Sequence, residues 1–173
     1  MRRLAPVLAA SFVLTGGCRI HRHHAEETNP EGNQLVSVVN VADPRTATQL
    51  TRGFWDLEHD SWRWTAKSFT VTLRPPANAS KTGATLELKF TIPDVMFNRV
   101  GAMTLDARVN GLDLGAQTYS QAGDCTYSRV IPAVALSSDA VAVDFHVDKG
   151  LPPSDQDTRE LAVIVTTVGL ISK

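Results

Sequence analysis

The sequence predicts an all-β domain, an antiparallel sandwich of jelly-roll type with eight to nine strands. Three observations carry that prediction. Apolar residues recur at every second position through most of residues 34–173. Turn-forming residues interrupt these runs at short, regular intervals. Sustained helical periodicity is missing from the same stretch. Period two places one side of a strand in a core and the other towards solvent, and many short strands with frequent turns read as a sandwich or barrel.

The elements follow in order. Asp43 is placed to cap a short helical turn running to Leu50, with Pro44 at its first position. Phe69, Val71 and Leu73 alternate with Thr70 and Thr72. Leu86, Leu88, Phe90 and Ile92 alternate with Glu87, Lys89 and Thr91. Met103, Leu105, Ala107 and Val109 alternate with Thr104, Asp106 and Arg108. Val141, Val143, Phe145 and Val147 alternate with Ala142, Asp144 and His146. Leu161 to Val168 is nearly all apolar or β-branched, as in a central strand covered on both faces. Pro75-Pro76, Lys81-Thr82-Gly83, Pro93-Asp94, Gly123-Asp124, Ser137-Ser138-Asp139 and Pro152-Pro153 read as turns. Asn110-Gly111 is the sharpest signal, since a type I′ hairpin needs positive φ at both central residues.

Ahead of the β pattern, Arg2-Arg3 precedes an apolar run from Leu4 to Leu14, and Thr15-Gly16-Gly17 leads into Cys18. That run is too short for a bilayer core needing about 20 residues, so it reads as a signal peptide over 1–17. Small residues before a cysteine resemble a bacterial lipobox, which makes Cys18 the lipidation site. The competing reading is a Cys18–Cys125 disulfide; otherwise Cys125 is a small hydrophobe in a strand. Residues 18–33 read as a lipidated cysteine with a polar tether. Its His21, His23 and His24 either hold a transition metal or form an ordinary solvated stretch. The expected place is the cell envelope, membrane-anchored, on the periplasmic or outer-surface side.

Composition narrows the function. Net charge is −1, and removing Arg2 and Arg3 with the leader leaves 15 of 17 basic side chains against 18 acidic ones. A mildly acidic chain has no electrostatic reason to bind nucleic acid. All three tryptophans fall in Trp55, Trp62 and Trp64. Trp62 and Trp64 share a strand face, with Arg63 opposite. Either the indoles stack on a sugar ring, with Arg63, Glu58 and Arg159 as polar support, or they fill the core. Glu58 and Arg159 are placed to pair across the sheets. Asp144, Asp148, Asp155 and Asp157 either hold a structural calcium or line a solvated loop; no other cofactor is expected. No nucleophile elbow or His-Glu-x-x-His helix occurs, and a Glu58–Asp157 carboxylate pair is one of many that 18 acids offer, so no enzyme is expected.

Gly53-Phe54, Glu58, Trp62-Arg63-Trp64-Thr65, Val109-Asn110-Gly111, Pro132 and Asp157-x-Arg159-Glu160-Leu161 together resemble a bacterial group of β-sandwich modules. Those modules look like galactose-binding jelly rolls and carbohydrate-binding modules, and also occur appended to glycosyltransferases. The resemblance spans about residues 34–173. It departs at Ala162, where the group tends to have glycine, and at Phe54, where it often has tryptophan. It implies a non-catalytic glycan-binding module. The second expectation is a structural or assembly lipoprotein that docks on an envelope protein and reads no sugar.

Overall fold

The computed structural model describes residues 34–173. The signal peptide, Cys18 and the histidines of the tether lie outside the described residues. Among the described residues nine strands form: β1 (Val38–Asn40), β2 (Leu50–Glu58), β3 (Trp62–Leu73), β4 (Ala84–Ile92), β5 (Met103–Val109), β6 (Leu112–Tyr119), β7 (Gly123–Ile131), β8 (Val141–Val147) and β9 (Ile164–Ser172). All pairings are antiparallel, in the order β6-β5-β8-β3-β9-β4-β7, with β1 beside β9 and β2 beside β3.

One strand joins the two layers. Ser68–Leu73 of β3 pairs with β8, whereas Arg63 and Trp64 pair with Val165 and Ile164 of β9. The layers face each other across the alternating apolar residues. Phe69 stacks on Phe145 at 4.9 Å, and Tyr127 of the opposite layer meets Phe145 edge-on at 6.4 Å. Both phenylalanines and Tyr127 are buried. At β6 and β7, which do not pair with each other, side chains close the gap. Tyr127 and Arg129 donate to the Gly115 and Ala116 carbonyls, and Tyr119 donates to the Thr126 carbonyl.

The local signals translate directly. Asn110 and Gly111 have φ of +48° and +83°, and Val109 pairs with Leu112 as a two-residue hairpin demands. Asp43 accepts from the Arg45 backbone N–H ahead of Pro44, and Pro44–Gln49 winds as a 3-10 helix. The Leu161–Val168 run begins pairing before β9 starts: Ala162 N–H donates to the Thr65 carbonyl and Thr65 N–H to Val163. Ala162, Val163, Val165 and Val168 are buried. Two elements correct the sequence reading. Pro93-Asp94 opens the helix α2 (Asp94–Val100) rather than a simple turn, and Ala79–Thr82 forms the single turn α1. Each is too short to show a helical period, and each ends on a glycine of positive φ, Gly101 or Gly83.

The registers sort the connections to two ends. Val36 and Arg74 lie at one end with the β5–β6 and β7–β8 connections and the C-terminus. The β2–β3 turn, α2 and residues 148–161 lie at the other.

Candidate functional site

The residues singled out from sequence gather where the β2–β3 hairpin meets residues 157–160. Arg159 donates to Glu58 at 2.8 Å and to both Asp157 oxygens, at 3.0 and 2.8 Å. The expected Glu58–Arg159 contact is therefore present, and Asp157 joins it. Hydrogen bonds from the Arg159 side chain and backbone hold the Asp157 carboxyl down at about 2. Asp157 is thus ionised at neutral pH and, with Glu58, accepts from the Arg159 guanidinium, so the three side chains brace the hairpin against residues 157–160. Arg63 is also occupied, donating to the Val41 carbonyl at 3.1 Å and the Trp55 carbonyl at 2.9 Å. Trp55 donates to the Glu160 carbonyl, and the Glu160 carboxylate accepts from the Lys67 backbone N–H.

Trp62 and Trp64 are both half-buried. Trp64 packs against the core, and Trp62 lies against the His59 ring at 4.8 Å. The Trp62 indole nitrogen is buried with no acceptor among the described residues. His59 and Asp60 turn the hairpin with φ of +49° and +52°, a left-handed pair tolerated better by His and Asp than by bulkier residues.

Side-chain exposures of 29% for Arg159 and 31% for Glu58 make this a partly solvated pair. Its expected worth falls between the exposed and fully buried limits. Arg159→Ala should cost about 2 kcal/mol in urea unfolding at pH 7. The Asp157 contribution is whole above the ordinary carboxylate range near 4 and is lost as pH falls through about 2. The same variant should therefore flatten the stability–pH slope between about pH 4 and 2.

The acidic residues considered for calcium are dispersed. Asp144 lies on a sheet face, Asp148 accepts from the Thr104 backbone N–H, and Asp157 is spent on Arg159. Among the described residues no three His, Cys, Asp or Glu side chains converge to hold a metal. Cys125 is half-buried on β7 rather than fully in the core, where burial pushes its thiol up.

A second constellation was not assembled by sequence reasoning. The outward residues of β2, β3, β8 and β5 form two rows across the strands. Asp106 and Arg108 of β5 stand opposite His146 and Asp144 of β8, which stand opposite Ser68 and Thr70 of β3. All of these groups but Thr70 line an open depression of about 290 Å³, together with Arg52 of β2. Part of the set is internally bonded: Asp144 accepts from Thr70 at 2.7 Å and from Arg52 at 3.4 Å, and Ser68 Oγ lies 3.2 Å from His146 Nδ1. The remainder is uncommitted. Among the described residues the side chains of Asp106 and Arg108 make no hydrogen bond or ion pair, and His146 Nε2 has no protein partner. The only signal in the sequence was the polar half of the alternations that identified the strands.

No protein-family model matches the sequence, and no curated protein matches it either. Solved structures do match in fold. A family GH115 4-O-methyl-alpha-glucuronidase with specificity for decorated arabinogalactans aligns at a TM-score of 0.52 and 12% identity, over 82% of this chain and 18% of that one. This chain thus spans under a fifth of that enzyme. A mannan-recognising carbohydrate-binding module, TmCBM27, aligns at 0.47 and 12% identity over 81% of this chain and 98% of that one. The module CBM36, in complex with calcium and xylotriose, aligns at 0.37 and 6% identity over 78% and 99%. At 12% identity the alignment with a TM-score of 0.52 speaks to the fold alone.

Proposed function

We propose that this chain is an exported lipoprotein, held in the cell envelope through acylated Cys18, whose sandwich domain binds a glycan without catalysis. The observation that carries the reading is the depression over β5, β8 and β3. Its walls offer a carboxylate, a guanidinium and an imidazole nitrogen that the fold itself leaves unspent. A sugar presents closely spaced hydroxyls that both donate and accept, so it needs both kinds of partner at once. The face is also preformed, because every contributing residue sits on a paired strand, which limits the ordering cost of binding. Arg63, Glu58 and Arg159 then serve by fixing the β2–β3 hairpin, and Trp62 and Trp64 by packing behind it.

The test is affinity electrophoresis of the exported chain carrying Cys18→Ser through gels containing neutral and acidic polysaccharides. Retardation is expected with at least one glycan. Arg108→Ala and Asp106→Ala should each weaken it about 10-fold or more, in line with loss of charge-assisted hydrogen bonds. Retardation that survives both substitutions but disappears in Trp62→Ala, with the fold intact, would move the site to the hairpin. Indifference to every glycan would leave docking on an envelope protein as the better reading. The anchor is tested separately: Cys18→Ser should shift the protein from the membrane to the soluble fraction, and unchanged membrane association would refute lipidation.

A further inference from the structure

The charge pattern of the depression narrows its ligand. On the solvent side of β2, β8, β5 and β6 stand two cations, Arg52 and Arg108, and three acids, Asp106, Asp113 and Asp144. Arg52 lies over Asp144, whose Oδ1 also accepts from Thr70. Asp113 Oδ1 accepts from the Gly115 backbone N–H. Of the two cations, Arg108 alone makes no ion pair among the described residues of this face, while Arg52 is held to Asp144 by one 3.4 Å contact with 65% of its side chain exposed. Three acids are the neighbours of Arg108: Asp144 opposite it on β8, Asp113 opposite it on β6, and Asp106 two residues away on its own strand. A ligand carboxylate or sulfate reaching Arg108 would meet those three acids, and like charges at such spacing repel. A cationic sugar would meet Arg108 itself.

A neutral sugar escapes both penalties. Two neighbouring hydroxyls can donate to the two Asp106 oxygens while a third oxygen accepts from Arg108 or His146 Nε2. Among the described residues no tryptophan, tyrosine or phenylalanine ring stands exposed around the depression, Phe145 being buried beneath it, so stacking contributes little and hydrogen bonds must choose the ligand. Resting on the glycan-binding reading above, we infer that this face selects uncharged polysaccharides bearing vicinal hydroxyls and rejects polyanionic ones, with Asp106 as the discriminating residue.

The probes are polymers matched except in charge: dextran against carboxymethyl dextran, and a neutral galactomannan against polygalacturonate, titrated calorimetrically into the exported chain carrying Cys18→Ser. The expected result is measurable binding to a neutral polymer, at least 10-fold weaker binding to the charged ones, and less than a twofold change between about 20 and 500 mM salt, since few ions are released. Asp106→Asn keeps the size of the side chain but removes its charge. It should weaken the neutral ligand and narrow the gap to the carboxylated one. Arg108→Gln should weaken the neutral ligand without admitting the anionic one. Equal or tighter binding of carboxymethyl dextran or polygalacturonate would overturn the selectivity while sparing the glycan-binding reading. Silence towards all four polymers and the wider panel would overturn both.

Discussion

Phe69→Ala should cost about 3–5 kcal/mol, a large share of the roughly 5–15 kcal/mol that holds a typical domain together. Phe69 is fully buried on β3, stacked on Phe145 at 4.9 Å and met edge-on by Phe54 at 5.3 Å. The aromatic contacts add to the loss of transfer free energy, and the cavity left behind sits in the strand that joins the two layers. β3 pairs with β2, β8 and β9, so the surroundings cannot collapse inward without disturbing three registers. Urea unfolding followed by near-ultraviolet circular dichroism is the measurement. A loss below about 1 kcal/mol would mean that this region relaxes freely and that β3 is not the junction of the core.

The position of Phe69 was legible in the sequence, and the consequences of losing it were not. The alternation Phe69, Val71, Leu73 identifies a strand and its inward side, because period two is a local property. The Asn110-Gly111 hairpin was equally local. That one end of β3 pairs with β8 and the other with β9 depends on partners roughly 70 to 100 residues away, which no local pattern encodes. The same limit separates the two groups of functional residues. Glu58 and Arg159 could be paired in advance because one lies at a strand end and the other leads into the last strand, with opposite charges. The depression needed two registers at once: β5 on β8, which sets Asp106 beside His146 and Arg108 beside Asp144, and β3 on β8, which sets Ser68 beside His146. Each of these residues, taken alone, reads as an ordinary outward polar position on a strand.

Gly53→Ala should destabilise the protein by about 2–4 kcal/mol and, in the surviving folded fraction, weaken any ligand held above Asp144. Gly53 has φ of +73°, which a side chain tolerates poorly. The larger obstacle is space: a Cβ there would lie 2.2 Å from the Ser68 carbonyl oxygen and 2.8 Å from Phe69 Cα. Both are backbone atoms of β3, so no side-chain rotation relieves the contact and the two strands must part. The residues flanking Gly53 make that separation matter for function. Arg52, immediately before it, reaches Asp144, and Ser68, the residue it would strike, lies against His146. Close approach of β2 to β3 thereby sets one wall of the depression, through an irregular pairing in which Arg52 meets Thr70 and Phe54 meets Thr65. A stability loss with unchanged ligand affinity would show that Arg52 is only a rim residue. A stability near that of the parent protein would show that β2 is free to lift from β3, and the depression could then not be counted as preformed.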